Sequence, residues 1–212
     1  MNAADATIEQ ILASSEILFA QQGYNGASFR RITKAAKTNL ASINYHFGNK
    51  QKLYCAVISR GLREINETRL KNLSHAEHLA GDQPVPLGLI FDILARPLFQ
   101  LGTAANGGSP LLRIIGRSMI EPQPFMDELF SREFQPVMTS FGQAMRRHAP
   151  NLSPEEFVWR LSFIMGALHH TLATLHHMKE RTQGICRNDD RDGALRRFVH
   201  FASAAIATPV QT

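Results

Sequence analysis

The chain has 212 residues, 44% of them hydrophobic, which is enough for a buried core and argues against a disordered chain. Its net charge of +5 favours an anionic partner. The two cysteines, Cys55 and Cys186, lie far apart, which excludes a disulfide-rich secreted scaffold and favours reduced thiols, and neither a signal peptide nor an apolar run of about 18 residues is visible.

The first predicted element is a helix from Asp5 to Gln22. Its apolar residues recur at intervals of three and four, as in Ile8, Ile11 and Leu12, so one face of the helix is apolar. Gly23 supplies a stop, because glycine readily takes the backbone conformation that ends helices. With the two helices that follow, this segment predicts a three-helix N-terminal domain.

Two short helices separated by a tight turn are predicted next, over residues 28–47. Ser28 can cap the first, which runs to Ala36, and Asn39 can cap the second, which extends to Tyr45. Gly48 then ends the second helix, and Asn49 can cap the next one. This arrangement is a helix-turn-helix motif, whose second helix fits the major groove of DNA.

The charge distribution supports a polyanionic partner for the same segment. No Asp or Glu occurs from Ile17 to Arg63. Neutralising a polyanion with such a surface releases counterions, which drives sequence-independent affinity. The alternative is an ordinary solvated basic face. The cations of this interval are Arg30, Arg31, Lys34, Lys37, Lys50, Lys52, Arg60 and Arg63.

This part of the chain resembles the DNA-binding domain of the TetR/AcrR family of bacterial transcriptional regulators, over about the first quarter of the sequence. One departure lies at the turn, where the family usually has Gly then Val and this chain has Lys37 then Thr38. A lysine there is strained if the backbone requires a positive φ. The resemblance is carried by the helix pair, by Tyr45-His46-Phe47-Gly48-Asn49-Lys50, and by Ile11, Leu12, Ala20, Gly23, Tyr24, Leu53, Ala56 and Val57.

The resemblance implies an all-α protein of about nine helices in the bacterial cytoplasm. A helix-turn-helix DNA-binding domain would occupy residues 1–50, and a helical ligand-binding and dimerisation domain residues 51–212. The side chains implied to contact DNA fall into three groups: Arg30, Ser42 and Asn44 at base edges; Tyr45, His46 and Lys50 at phosphates; and Leu40 and Ala41 at thymine methyl groups or sugars.

A long helix is predicted from Asn49 to about Leu73, followed by a loop over Ser74–Pro86. His75 and His78 lie in that loop, where we interpret them as solvated side chains because no third metal ligand is near. In the family, the long helix connects the DNA-binding domain to the rest of the protein.

The next predicted helices are Leu87–Leu101, in which Pro97 is expected to kink or break the helix, and Leu111–Ile120, after a loop over residues 103–110. Arg113 and Arg117 are four residues apart in the second helix. Either they pair with acids or reach water, or they form a fork that binds a carboxylate.

A helix rich in Phe and Met is predicted from Phe125 to His148. These residues fit a plain core, and they also fit an adaptable apolar ligand cavity, because methionine accommodates varied shapes. The hypothesis of an effector site names these candidate ligand-binding residues: Leu94, Leu98, Arg113, Arg117, Phe134, Met138 and Phe163.

Two helices are predicted at the C-terminal end. Ser153 can cap a helix that begins at Pro154 and runs to Lys179, and the last helix covers Asp192–Ala207. The family resemblance implies that these helices form a four-helix interface in a homodimer, which suits a palindromic operator. We interpret the clustered histidines as interface or surface residues and not as metal ligands: His169, His170, His176 and His177.

The sequence contains none of the common catalytic motifs, so we predict neither an enzyme nor a cofactor. The favoured function is a double-stranded-DNA-binding repressor released by a small apolar or acyl ligand. The stretch NLASINYHFGNK is similar to the branch of the family that contains the fatty-acid-responsive regulator PsrA, which suggests a fatty acid or acyl-CoA. The alternative is a DNA-binding adaptor controlled by a protein partner, with no metabolite pocket. No membrane association is predicted for either function.

Overall fold

The structure, a computed structural model, describes residues 3–101, 109–121, 123–187 and 189–209, and within these ranges it is helical without strands. The all-α prediction is therefore confirmed. Ten α-helices lie in the described ranges, and a 3₁₀ turn at Leu175–His177 separates α8 from α9. The helices are α1 Ala3–Gly26, α2 Phe29–Ala35, α3 Leu40–Phe47, α4 Lys50–Ala80, α5 Leu87–Leu101, α6 Pro110–Ile120, α7 Met126–Arg146, α8 Pro154–Thr174, α9 Met178–Arg181 and α10 Arg191–Ala207.

Side-chain caps account for several of the helix starts. The hydroxyl of Ser153 accepts the Glu156 N–H at 3.1 Å, and Pro154 occupies the first turn of α8. The carboxylate of Asp190 accepts the Gly193 N–H at 2.8 Å at the start of α10. Each cap satisfies an amide that has no partner within its own helix, so these starts are encoded locally.

Two sequence predictions about helix ends were wrong. The predicted loop over residues 74–86 begins as helix, because Leu73 and Ala76 are buried at helical spacing and α4 ends only at Ala80, just before Gly81, where φ is 59°. The helix predicted to reach residue 179 ends at Thr174. Pro97 lies inside α5, so of the two predicted effects a break does not occur there. The predicted loop over residues 103–110 lies mostly outside the described residues.

The chain packs as two units. Unit 1 comprises Met1–Glu64 and Ser109–Glu133, and α1 in it packs on α2 and α6. Unit 2 comprises Ile65–Gly108 and Phe134–Thr212, and α5 in it packs mainly on α10 and also on α8. Each unit has its own fully buried side chains, including Ile32 and Ile43 in unit 1 and Phe91 in unit 2. None of the described helices is both long and apolar enough to cross a membrane.

Candidate nucleic-acid interface

The helix-turn-helix is held together by short-range caps at the predicted positions. The Ser28 hydroxyl accepts the Arg31 N–H at 3.4 Å at the start of α2. The Asn39 side-chain oxygen accepts the Ser42 N–H at 2.8 Å at the start of α3. Because each cap satisfies an amide of the first helical turn, the starts of α2 and α3 are fixed by bonds inside the motif.

The turn between α2 and α3 passes through the left-handed region at Lys37, where φ is 47°. The chain reverses there because the Ala36 N–H donates to the Ile32 carbonyl at 2.8 Å and the Thr38 N–H donates to the Thr33 carbonyl at 3.0 Å. Glycine suits this backbone conformation best, since a Cβ crowds the adjacent carbonyl. The conformation that would strain a lysine at this position is therefore the one observed.

The buried side of the motif determines which residues of α3 face outward. Ile32, Ala36 and Ile43 are buried in the core of unit 1. On the opposite side, Leu40 is 51% exposed and Tyr45 is 85% exposed. The other predicted DNA contacts are also at the surface: Arg30, Ala41 and Asn44 are exposed, and Ser42, His46 and Lys50 are half-buried.

The cations around this face have little internal compensation. Among the described residues, Arg60 is the member of the acid-free interval that pairs with carboxylates, at 2.9 Å from Glu9 and 2.6 Å from Glu16. Arg31 donates to the neutral Gln22 amide at 2.7 Å, and Lys34 and Lys37 are exposed. The positive charge of the motif is thus available to an external polyanion.

Lys50 makes contacts within the protein that the sequence does not predict. Its ammonium donates to the Ala27 carbonyl at 3.2 Å and lies 4.6 Å from the centre of the Tyr24 ring. The Tyr24 ring in turn packs edge-on against Tyr54 at 5.1 Å and Phe125 at 5.2 Å. These contacts fix the first turn of α4 to the segment before α2, and an ammonium with three donors can still bind a phosphate.

The predicted ligand-binding residues do not share one environment. Leu94 and Leu98 are buried in α5, and Phe134 and Met138 are half-buried in α7. Phe163 is 64% exposed and stacks on Trp159 with ring centres 5.7 Å apart, so it belongs to the outer face of α8. An effector-binding role for this set stays a prediction.

Of the two alternatives predicted for the arginines of α6, pairing with an acid is the one observed for Arg117. Its guanidinium donates to the Gln21 carbonyl at 3.2 Å and lies 3.7 Å from the Glu121 carboxylate. A Cβ at Gly23, where φ is 72°, would lie 3.4 Å from the Arg117 guanidinium carbon. Arg117 therefore covers the C-terminal part of α1, whereas Arg113 is exposed.

The histidines are distributed over several environments. His75 and His78 are exposed on α4 and His170 is exposed on α8, whereas His169 is half-buried. His177 lies 3.2 Å from the Glu180 carboxylate. The side chain of His176 is not among those that the structure describes. Among the described residues, no three His, Cys, Asp or Glu side chains are grouped as metal ligands.

Comparison with known proteins relates both parts of the sequence to regulators. Residues 11–57 match the family model of bacterial regulatory proteins of the tetR family, and residues 92–205 match the tetracyclin repressor-like C-terminal domain. The probable HTH-type transcriptional regulator YttP of Bacillus subtilis is 36% identical over 42% of this chain and 43% of its own length. The HTH-type transcriptional repressor NicS of Pseudomonas putida is 32% identical over 32% of each chain. The alignments therefore span less than half the length of these relatives.

The fold extends the similarity along most of the chain. SCO4454, a TetR-family transcriptional regulator from Streptomyces coelicolor, superposes with a TM-score of 0.64 over 95% of this chain and 96% of its own. The two sequences are 14% identical in that superposition, so the likeness concerns the fold alone.

Proposed function

The chain belongs to the TetR family of bacterial regulatory proteins, and from this premise we propose that it is a DNA-binding transcriptional repressor and not an enzyme. The observation that carries the proposal is the outer face of α3. Ile43 anchors this helix in the core while Asn44 and Tyr45 project from it, within an interval that contains no carboxylate. A capped helix that projects polar side chains among cations has the properties required of a major-groove reader.

The proposed contacts with DNA fall into three groups according to the chemical groups of the side chains. Asn44 and Ser42 can donate and accept at base edges, which is where sequence is read, and Arg30 can donate there. Tyr45, His46 and Lys50 carry donors suited to phosphate oxygens, which position the protein on the duplex. Leu40 and Ala41 offer apolar surface to thymine methyl groups or sugars. Residues 1–50 thus form the DNA-binding domain of the proposal, and residues 51–212 the regulatory and dimerisation domain.

We propose a homodimer formed through α8 and α10. The two helices contact each other, and both leave apolar side chains in solvent. Val158 is 64% exposed and Trp159 is 54% exposed on α8, and Phe201 is 51% exposed on α10. Large apolar side chains exposed on two packed helices favour a protein interface. A two-fold dimer presents one α3 to each half-site of a palindromic operator.

We propose that the protein is released from DNA when a small apolar or acyl effector, such as a fatty acid or acyl-CoA, binds in the helical domain. The proposed location is the bacterial cytoplasm. A ligand that prefers one spacing of the two DNA-binding domains lowers the affinity of the dimer for DNA that requires another spacing. The buried Leu94 and Leu98 and the half-buried Met138 supply apolar surface for such a ligand.

Selection of bound fragments from random duplex DNA tests the core of the proposal. We expect enrichment of a palindromic sequence by the full chain. Asn44→Ala should weaken binding to the selected duplex roughly tenfold or more while leaving binding to unrelated duplex unchanged, because a base-edge contact is lost and phosphate contacts remain.

Asn72→Ala is the matched control, since Asn72 is an exposed asparagine on α4 in unit 2. It should leave both affinities unchanged. If selection enriches no sequence, and the chain binds all duplexes no better than bulk competitor DNA, the proposed function is wrong.

A further inference from the structure

A fully buried arginine lies in the interior of unit 2, and none of the described carboxylates pairs with it. Arg69, on α4, is 2% exposed. Its Nε donates to the Leu94 carbonyl at 2.8 Å and its Nη1 donates to the Asn66 side-chain oxygen at 3.0 Å. Both acceptors are neutral, so these bonds orient the guanidinium without cancelling its charge.

No carboxylate compensates Arg69 in the described part of the chain, where the ion pairs involve other arginines and His177. Burial lowers the pKa of Arg69 to about 10, which leaves the group protonated at neutral pH. Buried charges in proteins are normally paired, because removing an ion from water is costly unless an opposite charge offsets it. Among the described residues, the buried charge of Arg69 is therefore not offset by an opposite charge.

The surroundings of Arg69 combine apolar surface with a second polar group. Leu94, whose carbonyl Arg69 holds, is buried in α5 together with Leu98. His169 of α8 is half-buried, and its pKa is lowered first by burial and then by the charge of Arg69. Three helices of one unit, α4, α5 and α8, thus contribute a cation, apolar side chains and an imidazole to the same region.

We propose that Arg69 is the anchor for the anionic head group, a carboxylate or a phosphate monoester, of an effector with an apolar chain. A guanidinium has five N–H donors in a planar fork, and the two internal bonds leave donors for two oxygens of such a head group. The inference rests on the proposed function, since it names the chemical class of the effector. A purely structural Arg69 would hold the Leu94 carbonyl equally well and would show no preference for anions.

Calorimetric titration of the full chain with three ligands of equal chain length tests the inference. Decanoate and decyl phosphate carry the two candidate head groups, and decanol carries neither. We expect the wild type to bind at least one of the anions about tenfold or more tightly than decanol, because a buried charge-assisted hydrogen bond is at stake. The comparison of the two anions identifies the head group.

Arg69→Gln should abolish the preference for the anion and leave the affinity for decanol unchanged. Arg181→Gln, which removes an exposed arginine from unit 2, is the matched control and should bind like the wild type. If Arg69→Gln does not fold, Arg69→Lys replaces it. Lysine keeps the charge but not the fork, so this variant should retain a reduced preference for the anion.

The inference is overturned if the wild type binds the anions no better than decanol, or if Arg69→Gln keeps the full preference. It is also overturned if Arg69→Lys, used in place of an unfolded Arg69→Gln, matches the wild type. Release from the selected duplex separates the two proposals. A wild type that binds no duplex refutes the proposed function, whereas equal release of wild type and Arg69→Gln by the anion refutes only the role of Arg69.

Discussion

Aromatic side chains on both α3 and α8 are exposed to solvent, and the residues around them differ. On α3, Tyr45 is 85% exposed, and the chain around it contains hydroxyl, amide and cationic groups without a carboxylate. On α8, Trp159 and Phe163 stack on each other beside the exposed Val158. The first face offers donors to a polyanion, whereas the second offers apolar area that another protein surface can bury.

The difference extends to the cations of the two faces. Arg160, next to Trp159 in the chain, donates to the Glu156 carboxylate at 2.7 Å and to the Ala205 carbonyl at 2.8 Å, so its charge is used within unit 2. Lys34 and Lys37 of the helix-turn-helix are exposed. Exposed aromatic residues alone therefore do not identify a partner. Whether the neighbouring cations are already paired with acids distinguishes a nucleic-acid surface from a protein interface.

The largest effect is expected from charging the apolar face. The double variant Trp159→Asp/Phe163→Asp places two carboxylates where the proposed dimer would bury them, so it should be monomeric. Affinity for the palindromic duplex should then fall about a hundredfold or more, because the second half-site is no longer bound intramolecularly. Light scattering after gel filtration measures the mass, and fluorescence anisotropy measures the affinity.

Leu79→Asp is the control for this experiment, since Leu79 is 73% exposed on α4 and lies outside the apolar face of α8 and α10. It should remain dimeric and bind as the wild type does. A double variant that stays dimeric would show that the exposed aromatic residues of α8 do not form the interface.

A smaller effect is expected at the edge of the cationic face. Lys50→Ala should weaken binding to every duplex by a similar factor and reduce the slope of log affinity against log salt by about one unit, because one phosphate contact is lost. Titrations at several salt concentrations, with the selected duplex and an unrelated one, measure both quantities.

Lys71→Ala removes an exposed lysine of α4 that lies in unit 2, and it should change neither the affinity nor the slope. An altered sequence preference in Lys50→Ala, with the salt slope intact, would place Lys50 at a base edge or in a purely structural role. The contacts of Lys50 with Ala27 and Tyr24 make the second possibility measurable as a loss of stability.

The two regions also differ in how far the sequence alone predicts them. The caps at Ser28 and Asn39 act over three residues, so the positions of α2 and α3 could be predicted without knowing the rest of the fold. The position of Lys50 could not, because its partner Ala27 is 23 residues away in the chain. Local hydrogen bonds thus determine where the helices of the motif begin, whereas tertiary packing determines the position of Lys50.

Unit 2 was harder to predict because its decisive contacts are between distant residues. The sequence predicts a loop over Ser74–Pro86, although Leu73 and Ala76 bury one side of a helix that continues to Ala80. Arg69 is an ordinary arginine in the sequence, and its bond to the Leu94 carbonyl joins positions 25 residues apart. No short pattern contains that information.

The smallest effect is expected at the turn that joins α2 to α3, and it tests how much strain the motif tolerates. Lys37→Gly should raise the free energy of unfolding by about 1 kcal/mol, because a residue with a Cβ is disfavoured at the observed φ of 47°. Lys34→Gly removes the same charge from inside α2 and should lower the free energy of unfolding by about 1 kcal/mol, because glycine is a poor helix former. Urea denaturation measures both, and a comparable m-value in the two variants would exclude a change in the surface exposed on unfolding. If both substitutions destabilise the protein equally, Lys37 is not strained, and the departure from the family's usual glycine has no energetic cost at this turn.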